Sequence, residues 1–286
     1  MPLVPTSTLM AEAAAQGRGL AAFNVIHLES AEAILGGAED AGLPVILQIS
    51  ENCVAYHGSL APIAAATAAA AAGSGARAAL HLDHAVSPAL VREALGLGFS
   101  SVMFDAAHLS DDENRRLTRE VAAEAHAVDV YVEAELGEVG GKDGAHAPGV
   151  RTDPEDAARF VADTGVDALA VAVGSSHAMT SRTAALDLGL ISRLRGAVPV
   201  PLVLHGSSGV ADEHLREAVA AGMRKINVST HLNKVFTGEA RRVLAERPEL
   251  VDSRKYLGPA REAMRAEVAR LAGIISGDRG PSMSGR

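Results

Sequence analysis

The sequence is short of the groups that hold small extracellular folds together. Its one cysteine, Cys53, cannot close an intramolecular disulfide, so the fold rests on packing and metal alone, and a reducing cytoplasm is the expected compartment. Tryptophan is absent and aromatic residues make up 3% of the chain, which leaves few platforms on which bases could stack. Positive charge is also scarce: 26 Lys+Arg face 35 Asp+Glu, a formal net charge of −9. That field repels phosphate backbones and anionic lipid, so neither nucleic acid nor a membrane surface is expected as a partner. Residues 1–18 lack the basic start and apolar run of a signal peptide. The longest apolar stretch, Leu60 to Gly73, is shorter than the ~20 residues of a membrane span and reads as a packed alanine-rich helix.

What is present is a large core, with 48% hydrophobic residues in 286. Short β-rich runs recur: AAFNVI (21–26), VILQIS (45–50), AALHLDH (78–84), SVMFDAA (101–107), VYVEAELG (130–137), ALAVAVG (168–174), PLVLHG (201–206) and INVST (226–230). Near-continuous hydrophobicity is what strands buried on both faces require. Amphipathic segments lie between them, and their starts carry helix-capping signals at Ser87-Pro88, Ser110-Asp111 and Asp153-Pro154. Eight strands alternating with helices, without a linker or a break in composition, predict an α/β chain forming a single (β/α)8 TIM barrel over residues 1–276. An extra helix is expected before it (Thr6 to Gln16) and another after it (Pro259 to Ala272), with 277–286 as a disordered tail.

Barrels of this kind build their sites at the C-terminal ends of the strands. There the sequence places His81, Asp83 and His84 on the third strand, Asp105 on the fourth, Glu133 and Glu135 on the fifth, His177 after the sixth, His205 at the end of the seventh and Asn227 on the eighth. One such histidine is more simply a cap or a satisfied core residue. Three, from three strands, suit Zn²⁺ and leave a coordination position open for substrate or water. Asp105 and Glu135 then serve as outer support or as a second metal position. Asp83 and His84 are adjacent, so the chain must leave strand geometry at His84 for both to face the site.

A second pattern concerns phosphate. Gly206-Ser207-Ser208-Gly209 after the seventh strand and Asn227-Val228-Ser229-Thr230 after the eighth offer small residues, hydroxyls and backbone N–H groups where barrels commonly bind phosphate. Ser50, after the second strand, is either a second phosphate contact or an ordinary helix cap.

The pieces AFNV (22–25), HLDH (81–84), VEAELG (132–137) with Gly140-Gly141, LVLHGSSGV (202–210), KINVST (225–230) and KYLGPARE (255–262) occur in this order across almost the whole chain. In this they resemble class II, zinc-dependent ketose-bisphosphate aldolases. The resemblance implies His84, His177 and His205 as metal ligands and Asp83 as the carboxylate that handles the C4-hydroxyl proton. It also implies Asn227 as the group positioning the enediolate, and Gly206, Ser208 and Thr230 as the phosphate site of dihydroxyacetone phosphate. Backbone groups of the sixth and seventh strand loops would hold a monovalent cation, Na⁺ or K⁺. Arg261 would reach the distal phosphate of a neighbouring subunit in a homodimer or homotetramer. The substrate implied is a ketose 1,6-bisphosphate, of fructose or tagatose type.

The chain departs from that family in places. The loop glutamate that moves the C3 proton is replaced in register by Asp143, with Glu138 as a nearby substitute. Ala178 stands where glycine usually follows the second ligand histidine, and Ser229 and His231 stand where fructose-bisphosphate members often carry acids. Competing readings are action on another keto-sugar phosphate, a metal-dependent hydrolase, which would have no use for two phosphate-type loops, and a non-catalytic sugar-phosphate-binding barrel. A Schiff-base mechanism finds no suitable lysine, because Lys225 reads as opening the eighth strand at the wrong end, and Lys142, Lys234 and Lys255 lie in a loop or near helices.

Overall fold

A computed structural model describes residues 3–136, 151–177 and 179–277. Eight parallel strands, β1 (Leu20–Asn24), β2 (Val45–Ser50), β3 (Ala78–Ala85), β4 (Ser101–Phe104), β5 (Tyr131–Leu136), β6 (Ala168–Val171), β7 (Leu202–Leu204) and β8 (Met223–Val228), pair in sequence order, and β8 returns to β1. The expected barrel is thus the observed fold. Around it run α2 (Leu28–Ala41), α3 (Glu51–His57), α4 (Ala61–Ala72), α5 (Pro88–Gly96), α6 (Asp111–His126), α7 (Pro154–Thr164), α8 (Leu188–Ala197), α9 (Asp212–Ala221), α10 (Thr230–Glu246) and α11 (Arg254–Ser276); α1 (Thr6–Gln16) precedes β1. No helix among the described residues is long and apolar enough to cross a membrane.

Two boundaries differ from the sequence reading. β8 begins at Met223, three residues before the apolar run that marked it, so Lys225 lies within the strand. α11 begins at Arg254 and carries Pro259 inside its second turn, where proline removes a single backbone bond.

The two-residue period of each strand sorts its side chains. Phe23, Leu47, Leu80, Val102, Val132, Leu169, Leu204 and Ile226 face outward into one core shared with the helices. Leu20, Ala22, Ile46 and Ala79 face the axis and pack on Leu9, Met10 and Ala13 of α1, which closes the N-terminal end of the barrel. The Thr6 hydroxyl fixes this plug by hydrogen bonds to Ser100 (2.9 Å) and Ser101 (2.7 Å). The next residues inward and upward along the same strands are polar, and they form the site.

On the outside, α2 lies against α11 at a close approach. A Cβ on Gly37 would come within 2.6 Å of the Arg265 carbonyl and 2.7 Å of Val268. Alanine gains about 1 kcal/mol of helix propensity over glycine, but here the overlap is with backbone. Gly37→Ala is therefore expected to lower stability by about 1–3 kcal/mol, read as a lower urea midpoint at unchanged slope. Gly273→Ala, on α11 with nothing within 4 Å of its Cβ, should move the midpoint the other way.

Candidate active site

Above the apolar layer, the axis-facing residues of eight strands meet in a dry space and must satisfy one another. Lys225 Nζ donates to Glu133 Oε2 (2.7 Å) and to His81 Nε2 (3.2 Å), and His81 Nδ1 bonds Ser101 Oγ (2.8 Å). Glu133 Oε1 in turn accepts from His205 Nε2 (2.8 Å). All four of Lys225, Glu133, His81 and His205 are buried to within 1% of their surface. Burial first, then the nearby charge of Lys225, pushes His81 well below the usual imidazole range. Burial also pushes His205 well below it, so its ring is neutral and has a lone pair to offer.

The next layer is the cavity floor. His84 has φ 51°, a left-handed conformation costing a non-glycine residue about 1–2 kcal/mol, and the β3–β4 register slips between Leu82 and Ala85. This is the departure that the adjacency of Asp83 and His84 demanded, and it lets both face the axis. His84 Nδ1 donates to Asp105 Oδ2 (2.8 Å), so its other ring nitrogen is the one turned to the cluster. The rings of His84, His177 and His205 have centroids 4.5–5.7 Å apart. One ligand atom from each, with a Glu135 carboxylate oxygen, lies within 4.8 Å of all the others.

Three imidazoles, His205 buried and His84 and His177 partly so, with one buried carboxylate are the donor set of a zinc site. The spread slightly exceeds the ~4 Å that two ligands about 2 Å from one ion can span, so small ring movements complete the fit. Asp105 stands outside the cluster as the partner that orients His84, and Glu135 stands in it.

Asp83 lies beside these rings. Its Oδ2 accepts from Asn24 Nδ2 (2.8 Å), and Gln48 Nε2 holds the Asn24 carbonyl (3.1 Å). Its buried Oδ1 has no hydrogen-bond partner among the described residues. Burial pushes the Asp83 carboxyl up, but the neighbouring His84, His205 and Lys225, with the Asn24 amide, hold it net below its usual value. It is therefore an ionised base with one oxygen available. Asn227 Nδ2 lies 3.2–3.3 Å from the His205 ring nitrogens, and its buried Oδ1 is unpartnered among the described residues.

A cavity of about 560 Å³ opens over this floor, lined by Asp83, the three histidines, Asn227 and the phosphate-type loops. Gly206 (φ 67°) brings the β7 loop so close to β6 that a Cβ would stand 2.6 Å from the Ser176 backbone. Ser207, Ser208, Ser229 and Thr230 line one wall, where α10 points its N-terminus at the cavity. The Ser208 hydroxyl accepts from the amides of Ser229 (3.3 Å) and His231 (3.1 Å), tying the two loops together. Ser50 also lines the cavity while capping α3 through Cys53 N–H (3.2 Å), so the helix-cap reading holds.

Other expected residues are elsewhere. Val228 has its side chain in the outer core, because its place in β8 turns it away from Asn227, and it does not line the cavity. Arg261 pairs with Glu32 on α2 (2.6 Å) and does not line this chain's cavity. His231 pairs with Glu267 (2.6 Å) behind the wall. Glu138, Asp143 and Ala178 lie outside the described residues. Asn24, Glu51 and Asn52 line the cavity without having been singled out; for Asn24, the inward register of AFNV was the available signal. Lys225 is not the first residue of β8 but stands in its N-terminal half, paired with Leu20; it does not line the cavity, and its ammonium is held in an ion pair with Glu133.

The sequence model of the family described as "Fructose-bisphosphate aldolase class-II" matches residues 4–278. A fructose-bisphosphate aldolase of Geobacillus stearothermophilus is 38% identical over 94% of this chain and 95% of its own length. A 6-phospho-5-dehydro-2-deoxy-D-gluconate aldolase of Shouchella clausii is 37% identical over 94% and 93%. Among solved structures, one assigned as a fructose-1,6-bisphosphate aldolase from Coccidioides immitis superposes with a TM-score of 0.83 at 31% identity, covering 95% of this chain and 96% of that one. The chain belongs to the class II fructose-bisphosphate aldolases, a zinc-dependent family of lyases that cleave ketose bisphosphates.

Proposed function

We propose that the protein reversibly cleaves a ketose 1,6-bisphosphate of fructose or tagatose type into dihydroxyacetone phosphate and an aldehyde phosphate such as glyceraldehyde 3-phosphate. The observation that carries this is the cluster of His84, His177, His205 and Glu135 under a cavity that also presents the ionised Asp83. Zinc held there supplies an electron sink for the substrate carbonyl, stabilising developing negative charge by several kcal/mol.

The chain's own residues do the rest. Asp83 takes the proton of the C4 hydroxyl through Oδ1 as the C3–C4 bond breaks, while Asn24 fixes its other oxygen. The Asn227 amide positions the dihydroxyacetone phosphate half. The phosphate of that half binds at the N-terminus of α10 with Gly206, Ser207, Ser208, Ser229 and Thr230. The distal phosphate lies toward Ser50, completed by Arg261 of a neighbouring copy in a homodimer or homotetramer. Asp143 or Glu138 returns the C3 proton, and backbone groups of the β6 and β7 loops bind a monovalent cation. The setting is the cytoplasm.

A second substrate has a specific argument. Ser229, not an acid, faces the cavity beside Asn227, and the deoxygluconate aldolase is as similar to this chain as the fructose enzyme is. The alternative is thus a keto-sugar-acid phosphate cleaved by the same machinery.

Three outcomes are expected. Exhaustive chelation should abolish triose phosphate release and Zn²⁺ should restore it; full activity in the metal-free protein would remove the zinc reading. Asp83→Ala should keep its zinc and lose about 10²–10⁴-fold in kcat, measured in a coupled triose phosphate assay beside metal analysis. Across a panel of fructose, tagatose and 2-deoxy-5-keto-gluconate phosphates, kcat/KM should peak on a ketose bisphosphate, and a peak on the sugar acid would select the alternative.

A further inference from the structure

Among the described residues, two of the most deeply buried charges lie outside the cavity. Lys225 and Glu133 sit one layer below its floor, each about 1% exposed, and no part of the cleavage chemistry above uses them. A buried ion pair of this sort is weak evidence for stability, since desolvating both charges offsets most of their attraction. Its proton pattern points to another role.

Lysine can only donate, and a carboxylate can only accept. Because Lys225 donates to His81 Nε2, His81 carries its proton on Nδ1 and passes a hydrogen bond to Ser101. Because Glu133 already accepts from Lys225 at Oε2 and meets His205 Nε2 at Oε1, His205 must carry its proton on Nε2. The only lone pair left on the His205 ring is then on Nδ1.

We infer that the Lys225–Glu133 pair is a tautomer lock: Glu133 is a positioning residue that holds the proton of His205 on Nε2, and Lys225 keeps the carboxylate aimed, so that Nδ1 is always presented to the cluster. Asp105 does the same for His84 from the other side, taking Nδ1 and leaving Nε2. The two ligand rings are thus protonated at opposite nitrogens, each by its own carboxylate, which a lone ring in a dry cavity would not choose by itself. The chain of bonds continues through His81 and Ser101 to Thr6 on α1, so the plug at the far end anchors the same column.

This rests on His205 being a zinc ligand. The test is zinc affinity of the purified protein, by competition with a chromophoric chelator, in Glu133→Gln and in the double variant Glu133→Gln/Lys225→Met. In the single variant Lys225 claims the new amide carbonyl, so the NH₂ faces His205 and drives its proton to Nδ1; affinity should fall about 10–100-fold. In the double variant no ammonium competes, the carbonyl turns back to His205, and the affinity should recover most of that loss. A merely structural ion pair predicts the reverse, with the double variant no better than the single. Wild-type affinity in folded Glu133→Gln overturns the lock, whereas wild-type protein that binds no zinc overturns the zinc reading itself. If Glu133→Gln does not fold, as judged by far-UV circular dichroism, ¹⁵N-histidine spectra of the zinc-free wild type decide: His205 protonated at Nε2 is expected, and at Nδ1 would overturn the proposal.

Discussion

Everything in this molecule follows from closing eight parallel strands around an axis too narrow for water. At that size the interior is filled by side chains, and the two-residue period of each strand sends every second residue into it. A residue there has no solvent to fall back on. Apolar groups can simply pack, as Leu20, Ile46 and Ala79 do against α1. Polar groups must find partners among the neighbouring strands or open into a cavity. The axis is therefore stratified: an apolar plug, then a paired layer of Lys225, Glu133 and His81, then the other histidines and Asp83, which with Asn24 and Asn227 face the cavity.

That stratification makes the ligand cluster stiff. His205 stands on a carboxylate that is itself gripped by an ammonium, and His84 is pinned between a left-handed backbone and Asp105. The strain at His84 and the desolvation of two charges both oppose folding, and the outer core shared with the helices offsets them. The same stiffness serves Asp83. Asn24, itself held by Gln48, occupies one of its oxygens, while the other has no hydrogen-bond partner among the described residues. A base held this way needs no rearrangement before it accepts a proton, which is the condition under which a positioned carboxylate is most effective.

The barrel and the three histidines were legible in the sequence, because buried parallel strands write themselves as apolar runs and the chemistry sits where those runs end. The need for a kink at His84 was legible too, from nothing more than two adjacent functional residues. What the runs concealed was their interior alternation. Met223, Arg224 and Lys225 open β8 without an apolar signature, so the strand was started late, with Lys225 as its opening residue. Its reach up the axis depends on which face of the strand it occupies, and that is set by pairing to β1 and β7, long-range facts that a local pattern does not contain. Val228 was misjudged by the same one-residue logic, its neighbour Asn227 facing in and itself facing out.

The division between strand and loop also bears on how one scaffold serves more than one substrate. Glu135, His84, His205, Asp83 and Asn227 stand on or directly after strands, where register fixes them, while His177 stands in the loop beyond the end of β6. The groups that would meet the aldehyde half, around Ser50 and Asn52, stand where a helix begins and a loop turns. Substitution there alters contacts with the far end of a sugar phosphate while leaving the paired column beneath untouched. Relatives that match this chain at 38% and 37% identity over nearly its whole length, yet carry the names of different aldolases, are what such an arrangement allows. Identity of that size over nearly the whole chain speaks for the kind of bond that is cleaved more strongly than for the sugar that carries it.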